Sequence, residues 1–388
     1  MTDRSTPTPA AGVGRNPEVD VVVIGAGPAG SIAAVTAARA GRQVMLLERA
    51  AFPREKVCGC CIAPRGVDEL ASAGLEAVLD DASRLECVRL EGGQRSAVIT
   101  RDSGVAISRG ALDARLVDAA RAAGVAVHHG ASASVVRDGS VEVTIDGVTR
   151  PIRARACVVA DGLAGRSLDA HPGVRWRVAR DSRIGLGAIL AAGSVRVGHG
   201  EILMRVERGG YVGAVELEDG RIDVAAALDH AVIRDEGPAA AIANRLGAAV
   251  VDRRAIDAAR WSGTPWLTRR RTTLALPGIL VAGDAAGYVE PFTGEGMSWA
   301  IATGRGAGAL AARMVDAPAL WSTWPGAWTA LIGRDRWRCM LLARMLRSPT
   351  LVDAGLRIAR RWPDGAAHVA RAIGRASNCH RLPEGQPS

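Results

Sequence analysis

Residues 19–30 read VDVVVIGAGPAG, and this stretch decides the fold. Val21, Val22, Val23 and Ile24 form a short buried strand. Gly25-Ala26-Gly27-Pro28-Ala29-Gly30 then fits the pattern G-x-G-x-x-G. The first glycine makes a tight turn, the second lets backbone approach a pyrophosphate, and the third packs the following helix on the strand. A helix-like run over residues 31–40 stops at Gly41, and a second strand over residues 43–47 ends in Glu48. A carboxylate at that place is set to hydrogen-bond an adenosine ribose. Strand, helix, strand and acid in register make a dinucleotide site.

A second stretch, residues 283–297 (GDAAGYVEPFTGEGM), follows an apolar strand-like run over 274–282 and leads into a helix-like run over 298–311. It places Asp284 at a strand end and Gly294-Glu295-Gly296-Met297 at a helix start. Glycines that let backbone come close, and free helix N–H groups, suit a polar and partly anionic ligand.

The chain has 388 residues, 48% of them hydrophobic, and no repeats, so it has room for two interlocked domains. Residues 1–17 are polar and read as a disordered lead without a signal core, and no apolar run is long enough to span a bilayer. Seven cysteines, with Cys58, Cys60 and Cys61 crowded together, argue against a disulfide scaffold and for a reducing, cytoplasmic setting. No second Cys/His pair stands at zinc-like spacing, so no metal site is expected. The formal charge is +9, and residues 321–388 hold eleven arginines against four acids. Two Phe and two Tyr are too few stacking aromatics for a nucleic-acid face. Solvated arginines on packed helices are the plain reading of this basic end. Peripheral contact with an anionic membrane, helped by Trp328, Trp337 and Trp362, is the alternative.

Between the two stretches, residues 109–123 have helix-like spacing, and residues 156–166 read as a buried strand ending in Asp161-Gly162. Residues 184–228 are strand-like, with a hairpin turn at Asp219-Gly220. Residues 237–248 and 327–376 read as helical, the latter broken at Pro349 and Pro363. The expected organisation is a cofactor domain over 18–183, with a small insertion near 60–105, and a β-rich substrate domain over 184–270. A return segment over 271–318 and a basic helical region over 319–388 complete it.

Together these motifs resemble the flavin-binding superfamily of aromatic-ring hydroxylases, geranylgeranyl reductases and flavin-dependent halogenases. The resemblance implies an α/β fold: a Rossmann-like FAD-binding domain of the glutathione-reductase type, interleaved with an antiparallel substrate sheet and followed by C-terminal helices. It implies that Gly25, Gly27, Ala29, Gly30, Glu48 and Arg49 hold the ADP half of FAD. Asp161 and Gly162 look like the family's second dinucleotide motif, Arg109 like an arginine near the flavin phosphates, and Asp284 like the ribityl–pyrophosphate aspartate. Gly294, Glu295, Gly296 and Met297 resemble the helix start facing the flavin's pyrimidine edge. There is no second G-x-G-x-x-G, so NADPH or NADH is expected to visit transiently as reductant.

The loop Pro53-Arg54-Glu55-Lys56-Val57-Cys58-Gly59 is most similar to the K-x-C-G loop of the geranylgeranyl-reductase group. Lys56 is the only lysine among 49 basic residues. A required compact ammonium and a chance survivor of codon bias explain that equally well. Cys58 reads either as lining the flavin's reactive face or as packing, and Tyr211 either as orienting a substrate or as core. These three are the candidate catalytic residues. The strand Tyr211-Val212-Gly213-Ala214-Val215 lacks the reductases' Tyr-x-Trp-x-Phe pattern, and its small residues suggest room for an aromatic substrate. The sequence therefore favours an FAD- and NAD(P)H-dependent monooxygenase of a small lipophilic or aromatic metabolite. An ene-reductase of an isoprenoid or quinone side chain is the nearest alternative. A non-catalytic prenyl-binding protein on the same fold is the alternative of another class.

Overall fold

The structure is a computed structural model that describes residues 19–135, 140–290, 292, 294–362 and 365. The expected lead over residues 1–17 and the break at Pro363 lie outside the described residues. Strand Val19–Ile24 sits in the middle of a six-stranded sheet, with Val44–Glu48 on one side and Ala154–Val159 on the other, both parallel to it. Val21, Val22 and Val23 are wholly buried because helices cover the sheet. Ala126–His129 extends the sheet at one edge, and Ile279–Val281 continues it in parallel beyond Ala154–Val159. The run over 274–282 is not one strand. It folds back at Gly278, which carries a φ of +76°, so that Ala275–Leu276 pairs antiparallel with Ile279–Val281.

The second layer is an eight-stranded sheet. Ile184–Leu190, Ile222–Leu228, Gly210–Glu216 and Glu201–Glu207 are successive antiparallel neighbours within it. The hairpin at Asp219-Gly220 joins two of these strands in register, Gly210 opposite Leu228 and Glu216 opposite Ile222. The segment expected as an insertion near 60–105 belongs to this sheet. Ser83–Gly92 runs parallel to Glu201–Glu207, and Arg95–Ala106 and Cys61–Ile62 follow outward. Side chains alternate across Gly210–Glu216: Val212 and Ala214 join the cluster containing Ile242 and Leu246, and Tyr211 and Val215 the cluster containing Cys60 and Cys61.

Two long helices bind the layers. Pro28–Arg39 crosses Glu295–Met314 closely: a Cβ on Gly304 would lie 2.3 Å from the Ala29 carbonyl oxygen, and one on Gly308 2.3 Å from that of Ala33. Helix Trp324–Met345 docks through Trp324, fully buried, whose indole N–H donates to the Val281 carbonyl at 2.9 Å. Pro349 opens the last described helix, Pro349–Arg361, rather than merely ending the one before it.

Candidate FAD site

At the end of strand Val19–Ile24 the backbone turns at Gly25, where φ is +97° and a Cβ would come within 2.5 Å of the Ala160 carbonyl oxygen. A Cβ on Gly30 would sit 1.8 Å from the Gly25 carbonyl oxygen, so the helix start rests directly on the loop. Gly27 caps helix Pro28–Arg39 without a side-chain cap. Its first-turn N–H groups therefore remain available to an anion. Facing Gly27 are two guanidiniums, with Arg109 Nη2 at 3.6 Å and Arg54 Nη2 at 4.0 Å from the Cβ position. Ala29 is buried against Gly283, whose Cβ position lies 2.7 Å from the Ala29 Cβ.

Glu48 lies beside this loop. Its Oε2 accepts from the Ala26 N–H at 3.0 Å and from Arg54 Nη2 at 3.1 Å, and its Oε1 accepts from the Ala50 N–H at 3.0 Å. Burial alone would raise its pKa, but Arg54 and the two backbone N–H groups outweigh it and hold the carboxyl below its ordinary value. Arg109 makes a bidentate pair with the fully buried Asp113, at 3.0 and 2.8 Å, and Arg54 reaches the same carboxylate at 3.4 Å. Arg49, expected here, is exposed on the surface, and Arg54 occupies the place beside Glu48. The Arg109–Asp113 spacing of four on a helix could have signalled that pair from sequence. Choosing between Arg49 and Arg54 needs the path of the loop.

Lys56 joins the same cationic group, its Nζ 3.7 Å from the Gly162 Cβ position. Lys56 is exposed, yet the protein atoms crowded around it, with Arg54 and Arg109 nearby, lower its pKa to about 8. Asp284 stands across from these cations after strand Ile279–Val281. Burial pushes its carboxyl up to about 6, while Arg109, Lys56 and Arg336 oppose the rise. Asp161 turns partly into its own loop: Oδ2 accepts from the Ser167 N–H at 2.9 Å and hydroxyl at 2.7 Å. Its Oδ1 is buried without a hydrogen-bond partner among the described residues. Gly294 caps the twenty-residue helix Glu295–Met314 in the left-handed region at φ +76°, its Cβ position 3.2 Å from the Cys61 Cβ. Glu295 and Met297 are buried there, and Gly296 is half-buried.

Cys58 lies between the dinucleotide loops and the second layer, packed against both. A hydrogen bond with the Cys60 thiol draws its pKa down against the effect of burial, aided by Arg109, while Cys60 is pushed up. Beyond it is an apolar layer containing Tyr211, Tyr288 and Phe292. Tyr211 packs edge-on to Phe292 at 5.1 Å, and the Arg183 guanidinium lies 5.6 Å from the tyrosine ring centre. Met204 Sδ lies 2.8 Å from the Gly213 Cβ position on this face, and Ala214 points to the other side. The buried Arg183 donates to Glu290 Oε1 at 3.2 Å. Glu290 Oε2 has no hydrogen-bond partner among the described residues. Burial raises the Glu290 pKa to about 7 against the pull of Arg183 and Arg347. Among the described residues no group of three or more His, Cys, Asp or Glu is placed to hold a metal.

An uncapped helix start, three cations around a glycine loop and a buried acid at the ribose position fit a dinucleotide with a pyrophosphate. The chain belongs to the FAD binding domain family, whose model matches residues 18–309. It is an FAD-dependent oxidoreductase of mixed α/β fold. It is similar to the menaquinone reductase of Mycobacterium tuberculosis (strain ATCC 25618 / H37Rv), 32% identical over 369 residues that cover 85% of this chain and 84% of that protein. It is also similar to the digeranylgeranylglycerophospholipid reductase of Methanoculleus marisnigri, 28% identical over 312 residues, with 77% of each chain covered. A flavin-dependent brominase superposes with a TM-score of 0.74 over 92% of this chain and 93% of that one, at 18% identity, a likeness of fold alone.

Proposed function

We propose that this protein uses FAD, reduced by NADPH or NADH, to saturate a carbon–carbon double bond in a lipophilic isoprenoid- or quinone-type substrate. The observation that carries this reading is the apolar layer beyond Cys58, which has beside it a buried acid, Glu290, with one unpartnered oxygen. Saturating a double bond requires a hydride on one carbon and a proton on its neighbour. FAD, when bound, supplies the hydride. Arg54, Arg109 and the start of helix Pro28–Arg39 hold its pyrophosphate, and Glu48 the adenosine ribose. Tyr211, Tyr288 and Phe292 wall the double bond from water. Burial raises the Glu290 carboxyl so that below about pH 7 it carries a proton, which it can transfer to the second carbon. The reductase names of the curated relatives support this reading. Oxygen-dependent hydroxylation, which the sequence favoured on the small residues Gly213 and Ala214, is the competing reading.

Turnover of a menaquinone by the FAD-loaded protein with NADPH, with and without oxygen, tests it. After its ring is reoxidised to the quinone, the anaerobic product is expected to be heavier by two hydrogens in the side chain. Product formed only in oxygen and carrying an added oxygen atom would overturn the reading.

A further inference from the structure

Helix Pro349–Arg361 has two apolar faces, and only one of them is covered. Val352, Leu356 and Ala359, spaced at i, i+4 and i+7, pack against Leu90 and Ala97 of the eight-stranded sheet. Leu351, Ile358 and the following Trp362 are instead exposed, at 48%, 60% and 70%. At 3.6 residues per turn Leu351 and Ile358 fall within about 20° of one another around the helix axis, and Trp362 follows directly after the helix end. The preceding helix, Trp324–Met345, adds Trp337 at 60% and Leu341 at 48%. Exposed large side chains in such a row mark an interaction surface rather than scattered surface apolarity.

Arg361 and Arg357 lie on one side of that row, about 70° and 110° round the helix axis from it, while Arg360 is on the far side. Arg95, Arg357, Arg360 and Arg361 line a shallow cleft of about 360 Å³. Asp353 pairs with Arg95 and Arg357, while Arg360 and Arg361 have no ion-pair partner among the described residues. An apolar row that ends at a tryptophan, with arginines along one side, suits a surface whose negative charge lies just above an apolar interior. A second copy of this chain would set like charges against each other across a two-fold contact.

We propose that this face of helix Pro349–Arg361 docks on an anionic phospholipid bilayer. Leu351, Ile358 and Trp362 enter below the headgroups, and Arg357 and Arg361 meet the lipid phosphates. The surface rests on these residues alone and holds whatever reaction the FAD site performs.

Flotation of the full-length, FAD-loaded protein tests the proposal, using vesicles of phosphatidylcholine alone or mixed with phosphatidylglycerol. The protein is expected to float with the anionic vesicles and to be released by salt. Ile358→Asp with Trp362→Asp, and separately Arg361→Glu, should each weaken binding about tenfold or more while leaving the flavin spectrum and melting temperature unchanged. Brominated acyl chains in the anionic vesicles should quench tryptophan fluorescence of the unmutated protein. Absence of flotation and quenching would overturn the proposal. So would variants that fold and float as well as the parent, or self-association without lipid that Ile358→Asp abolishes.

Discussion

Glu48 shows how much of the site one residue carries. Its two oxygens take two backbone N–H groups and Arg54, which fixes the carboxylate beside the glycine loop as an anion. Glu48→Gln removes that charge, and hydrogen bonds to charged groups contribute about 1.5–3 kcal/mol. FAD affinity should therefore fall about tenfold or more, as read by fluorescence titration of the apoprotein. Glu290 predicts a pH effect. Its carboxyl rises from 4.5 to about 7 on folding, chiefly through burial, so the folded state keeps a proton that the unfolded chain releases. Stability contributed by this group is present below about pH 4.5 and is lost as pH rises toward 7. Relative to Glu290→Gln, the melting temperature of the parent should fall across that window; parallel profiles would contradict the assignment. Glu48 was legible in the sequence because a strand of fixed length carries it there. Arg54 was not, because the loop after Glu48 has no period to set which arginine returns to it.

At the scale of elements, the contact between Pro28–Arg39 and Glu295–Met314 holds the two cofactor stretches together. Gly304 and Gly308 bring the helices close enough that any side chain would meet the backbone carbonyls of Ala29 and Ala33. Gly308→Val forces these helices apart, and overpacking of this kind costs about 3 kcal/mol or more. Thermal melting should show a drop of several degrees with reduced flavin content. A melting temperature within a degree of the parent's would contradict the packing account. Both helices could be seen in the sequence from their apolar spacing and flanking glycines. Their crossing could not, because it depends on residues far apart in the chain. The same holds for Ser83–Gly92, which reads locally as an insertion but pairs in parallel with Glu201–Glu207.

Over the whole molecule, the site lies where the parallel sheet meets the larger sheet, so one wall is polar and cationic and the other apolar. That division matches a substrate with a lipid-like reacting end next to an anionic cofactor. It also makes sense of the uneven charge of the chain, whose formal +9 gathers toward the C-terminal helices. No described helix is long and apolar enough to cross a membrane, and the proposed lipid contact rests on the exposed apolar row of Pro349–Arg361. The most direct measurement is anaerobic reoxidation: the holoprotein is reduced with NADPH, freed of excess nicotinamide and mixed with menaquinone under nitrogen while flavin absorbance is followed. The account predicts that the oxidised flavin band returns in step with a menaquinone product that has gained two hydrogens in its tail, and that Glu290→Gln slows this return. A flavin that stays reduced with menaquinone until oxygen is admitted, followed by oxygen incorporation into the product, would contradict it.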